Sequence, residues 1–93
     1  MEREKMPTAP TLPFWFRLRQ GKAEPAGADT YRLTAPNLGE AYIGIRPAEH
    51  CGWLAVLKTS PDGPDVAVAG DPSATVPDAW EAAFELYRVH LVI

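Results

Sequence analysis

Hydrophobic and polar positions alternate with a period of two along most of this chain and switch to a helical period only near its end. Phe14, Phe16 and Leu18 alternate with Trp15, Arg17 and Arg19, Tyr31 and Leu33 flank Arg32, and Ala41, Ile43 and Ile45 alternate with Tyr42, Gly44 and Arg46. Successive side chains of a strand point to opposite faces, so each run predicts a strand with one apolar face. A fourth run, residues 52–58, is apolar in both rows: Trp53, Ala55 and Leu57 in one, Leu54 and Val56 beside Lys58 in the other. That pattern suits a strand covered on both faces. Residues 66–69, Val-Ala-Val-Ala, predict a short fifth strand. Between these runs, Gln20 to Asp29 reads as a long mobile connection, because Gly21, Pro25 and Gly27 interrupt it. Asn37-Leu38-Gly39 and Ser60-Pro61-Asp62-Gly63 carry the residues of tight returns.

From Thr75 the period changes. Thr75-Val76-Pro77-Asp78 resembles a helix start, with Thr as the cap and proline in a first turn where its missing N–H is harmless. Trp80, Phe84, Tyr87 and Leu91 then recur at i, i+4, i+7 and i+11, with Ala83 beside them and Glu81, Glu85 and Arg88 opposite. Together the elements predict an α+β fold, a four- to five-stranded antiparallel meander sheet with one C-terminal helix packed on one face. Residues 14–93 would form the single domain. Residues 1–13, with three prolines in the stretch 7–13, would be an extended or disordered N-terminal lead-in.

Composition narrows the function classes. Ninety-three residues suit one domain, and 46% apolar with 23% charged residues is a globular balance, which sets disorder throughout aside. The net charge of −3 works against non-specific nucleic-acid binding, which needs a cationic excess to neutralise phosphates. Cys51 is the single cysteine, so no intrachain disulfide can form. The opening residues lack the apolar core of a signal peptide, and no run reaches the roughly 20 apolar residues of a membrane span. A cytoplasmic protein without membrane attachment is expected.

Charge patterning supplies the candidate site. The five strand-like runs hold Arg17, Arg19, Arg32, Arg46 and Lys58 but, within these boundaries, no carboxylate. Trp15, Arg17, Arg19, Arg32, Tyr42 and Arg46 would project from the sheet face opposite the helix. Such a face can anchor a protein partner, since Trp, Tyr and Arg dominate interface energetics. It can also stack bases and pair phosphates. The bland alternative is that strands simply disfavour carboxylates while long cations lie over a half-exposed sheet.

The leading expectation is a non-catalytic protein-binding or assembly module, either a homodimer or a receptor for an acidic protein segment. Single-stranded nucleic-acid binding is the alternative. A thiol enzyme built on His50 and Cys51 is the remote one, because neighbours on an extended chain point apart and the thiol would lack its base. One cysteine and two histidines leave no zinc-site spacing, and no phosphate-cradling glycine motif is present, so no metal and no cofactor is expected.

Overall fold

The computed structural model describes residues 10–27, 29–49, 51–60 and 63–92. In chain order the elements are α1 (Phe14–Leu18), β1 (Lys22–Pro25), β2 (Thr30–Thr34), β3 (Ala41–Pro47), β4 (Trp53–Lys58), β5 (Asp65–Val68) and α2 (Val76–Tyr87), which runs on into a π-helical turn, Arg88–Val92. The five strands form one antiparallel sheet in the order β1-β2-β3-β4-β5, a meander, and α2 packs across one face of its central strands. The α+β expectation therefore holds.

The first predicted strand does not. Residues 14–18 form a short helix, and the fifth strand of the sheet is instead β1, inside the stretch read as a mobile connection. Local chemistry explains the exchange. Pro13 enters α1 in an extended conformation, and its carbonyl accepts from the amides of Phe16 and Arg17 at 3.1 and 3.0 Å. At the other end Gln20 turns left-handed (φ 60°), so that Gly21 N donates to Phe16 O at 2.9 Å and Gln20 N to Arg17 O at 3.0 Å. These are the two bonds of a Schellman cap. Gly21 is required here, because a Cβ at this position would stand 2.5 Å from Phe16 Cε1. β1 then runs at the sheet edge, where the proline of Lys22-Ala23-Glu24-Pro25 is tolerated.

The remaining connections follow their turn residues. Leu38 N donates to Ala35 O at 3.2 Å around Pro36 and Asn37 (φ 66°), the type II arrangement in which proline presets φ and asparagine accepts the left-handed position. Gly52 (φ 86°) ends the β3–β4 connection where a Cβ would collide with the Ser73 carbonyl oxygen. Gly63 N donates to Ser60 O at 3.3 Å; Pro61 and Asp62 of that predicted turn lie outside the described residues. Thr75 caps α2, its hydroxyl accepting from Asp78 N at 3.2 Å.

The core lies between the sheet and the helical layer. Leu33, Ala41, Ile43, Ile45, Ala55 and Leu57 from the sheet meet Ala79, Trp80, Ala83, Phe84 and Tyr87 of α2. Trp53 packs against this cluster, so the Trp53-Ala55-Leu57 row of β4 faces inward and Leu54, Val56 and Lys58 face away from α2. Phe16 completes the core from α1, its ring 5.4 Å from that of Phe84 and 5.7 Å from that of Tyr87. Phe14 and Leu18, expected to share its inward face, are 67% and 68% exposed, as a helical turn requires. Tyr87 ties α2 to the β2–β3 connection by donating to Gly39 O at 2.9 Å, and burial pushes its phenol above the usual range. Of the proposed lead-in only residues 10–13 are described, and Leu12 already packs against the core.

Candidate functional site

Three of the six predicted binding residues lie on the open sheet face: Arg32 on β2, and Tyr42 and Arg46 on β3. The other three do not, because α1 replaces the strand that would have carried them. Trp15 belongs to the helical layer, stacked on Tyr87 at 6.4 Å between ring centres and edge-on to Phe16 at 5.5 Å. There it lines a groove of about 510 Å³ with Pro13 and Phe84, rimmed by Asp78, Glu81 and Glu85, the reverse of a cationic surface. Glu85 is itself engaged by Arg88, whose guanidinium holds the carboxyl below its usual range. Arg17 lies over the Phe14 ring at 5.8 Å, and Arg19 closes α1 at an exposed position.

On the open face the two arginines have partners. Strand register sets Glu24, Arg32, Tyr42, Lys58 and Asp65 in one row across all five strands. Arg32 lies between Glu24, 3.6 Å from its Nη1, and Glu40, 2.7 Å from its Nε. The second pair is close but off the N–H axis, so it is an ionic contact and leaves Arg32 Nε without a directed hydrogen bond. Arg46 Nη2 donates to Asp65 Oδ2 at 2.8 Å, reaching from β3 across β4 to β5. Glu24 and Asp65 both belong to strands, so the carboxylate-free sheet of the charge pattern is corrected: β1 and β5 bring acids into register with the cations.

Between the carriers of the Arg46–Asp65 bridge lies the outer row of β4. Val56 sits in that row, opposite Gly44 on β3 and Val68 on β5, and is 3% exposed although it faces away from α2. The most exposed large apolar side chains on this face are on β5, where Val66 and Val68 are 53% and 43% exposed. Sequence reasoning placed both residues on a strand but did not assign them to a site. The signal was the absence of any charge in residues 66–69, unlike every other strand. At one end of the face, Arg46, Pro47, Glu49, Cys51, Leu54 and Pro72 line an open concavity of about 550 Å³ with a mainly apolar wall.

Cys51 is exposed, and His50, the other half of the thiol-enzyme alternative, lies outside the described residues. Among the described residues no three His, Cys, Asp or Glu side chains gather as metal ligands, and no helix is long and apolar enough to cross a membrane. The chain matches no family model, and neither curated proteins nor solved structures provide a significant match to it.

Proposed function

We propose that this protein is a small non-catalytic binding or assembly module, working as a homodimer, whose contact surface is the open sheet face at its β5 end. The supporting observation is the exposure of Val66 and Val68 side by side on a face that no helix covers. Large apolar side chains grouped on one face of a small domain are the usual material of a protein interface. Pairing of the face arginines favours a second copy over an acidic segment. Arg32 and Arg46 are already held by Glu24, Glu40 and Asp65, and an acidic partner would have to displace those carboxylates. The same pairing weighs against nucleic acid, since phosphates would meet the same competition. A cytoplasmic setting goes with this reading, because an exposed unpaired thiol such as Cys51 persists as a thiol where the compartment is reducing.

Light scattering on a sizing column across a concentration series tests the proposal. The wild type is expected to approach twice its monomer mass of 10.2 kDa. The double variant Val66→Glu/Val68→Glu is expected to stay monomeric with its melting transition retained. A wild type that is monomeric at every concentration refutes homodimeric assembly.

A further inference from the structure

We infer that two copies join along the free edge of β5, so that their sheets run on as one ten-stranded sheet with a two-fold axis between the β5 strands; the inference rests on the homodimer reading above and puts the seam at the β5 border of the open face rather than across the face itself. The two edges of this sheet differ. β1 carries Lys22, Glu24 and Pro25, charges and a proline of the kind that discourages strand addition. β5 carries a single charge, Asp65, and its carboxylate is turned onto Arg46 with the side chain only 22% exposed, so it does not guard the edge. Beyond Asp65 the edge is Val66-Ala67-Val68, uncharged and with both valines in solvent.

Backbone geometry says what kind of group fits there. Ala69 N donates to Ala55 O at 3.0 Å, so Ala69 and Ala55 form a hydrogen-bonded pair of the β4–β5 ladder. Bonded and non-bonded pairs alternate in antiparallel ladders, and the next pair, Val56 with Val68, is therefore a non-bonded one. The N–H and C=O of Val68 consequently point away from β4, into the free edge, and no strand among the described residues takes them up. An extended backbone offering one donor and one acceptor satisfies both groups, which is strand addition. A second copy supplies this with no opposing charge: Val68 faces Val68 of the other copy across the axis and the two exchange N–H to O bonds. Two-fold closure limits the assembly to a pair. Residues directly opposite across an antiparallel pair share a face, so the valines of both copies fall on the same open face and merge into one apolar stripe.

Amide hydrogen exchange and two substitutions test the edge directly. In the wild type, protection of the Val68 amide is expected to rise with protein concentration alongside the dimer mass. Val68→Pro removes the outward donor while leaving the inward bonds of Ala67 and Ala69, and is expected to abolish the dimer. Val68→Ala keeps the donor and is expected to retain it. A dimer that survives Val68→Pro but is lost in Val66→Glu/Val68→Glu would overturn the edge and leave face-to-face assembly standing. A Val68 amide whose exchange is independent of concentration while the mass doubles would overturn it equally. Absence of any dimer would remove both readings together.

Discussion

Replacing Gly21 by alanine separates two accounts of the N-terminal segment by the sign of its effect. If residues 20–29 were a mobile connection, alanine would meet nothing in the folded protein and, by restricting the chain, would be neutral or stabilise by at most about 0.4–1 kcal/mol. In the folded protein, however, the new Cβ would stand 2.5 Å from Phe16 Cε1, against the roughly 3.5–4.0 Å of ordinary carbon contacts. The ring has no room to retreat. It is fully buried, with Trp15, Phe84 and Tyr87 at ring-centre distances of 5.5, 5.4 and 5.7 Å. Moving the backbone instead would strain the Gly21 N to Phe16 O bond that closes α1. Overpacking of this kind costs about 1–3 kcal/mol, and after the unfolded-state gain a net loss of roughly 1–2 kcal/mol remains. Urea unfolding followed by tryptophan fluorescence should show a lowered midpoint at unchanged slope. Thermal melts should fall by about 4–8 °C per kcal/mol for a domain of this size. Adding Phe16→Leu should make the alanine less costly than it is alone, a favourable coupling in a double-mutant cycle. A Gly21→Ala protein as stable as the wild type, or more so, would refute the packing of α1 on Gly21.

Two further outcomes follow from the polar contacts. Burial raises the Tyr87 phenol, so its unfolded form ionises first; its contribution to stability is complete below about pH 10 and is lost as pH rises beyond that. Tyr87→Phe should flatten this alkaline decline while costing about 1 kcal/mol at neutral pH for the bond to Gly39 O, and melts from pH 8 to 11 that decline equally in both proteins would contradict it. The Arg46–Asp65 pair involves a half-exposed arginine, so a double-mutant cycle to alanine should give a coupling of only about 0.2–1 kcal/mol that shrinks at high salt; a larger, salt-insensitive value would show the bridge to be a stronger element than its exposure allows.

Long-period patterning was legible and short patterning was not. The α2 stripe, with its Thr75 cap, and the β2 and β3 rows appear in the structure with the faces that the alternation assigns, whereas β4, apolar in both rows, has its inward row, Trp53, Ala55 and Leu57, chosen only by the fold. The run Phe14 to Leu18 misled because it is apolar at four of its five positions, a composition that satisfies period two and a single helical turn alike. The residues that decide lie outside the run: Pro13, which opens the helix, and Gln20-Gly21, which closes it. β1 was hidden for the opposite reason. An edge strand needs only Ala23 on its inward face, and Lys22, Glu24 and Pro25 carry no apolar signal at all.

That same edge strand changes the electrostatic reading of the site. A charge on a sheet acquires its meaning from the residue opposite, which only register supplies. Glu24 and Arg32 are equidistant from the centre of the β1–β2 hairpin, so their pairing could have been inferred once Lys22–Pro25 was taken as a strand. The Arg46–Asp65 bridge could not, since it joins strands that are not neighbours and depends on the bulge that brings Asp65 opposite Lys58. Arg32 and Arg46 are thus engaged by carboxylates of the same face, Glu24, Glu40 and Asp65. Along β5 the face ends in uncharged groups: two exposed valines and the outward N–H and C=O of Val68. An edge of that chemistry suits an uncharged extended strand, which in the proposed dimer is β5 of the second copy.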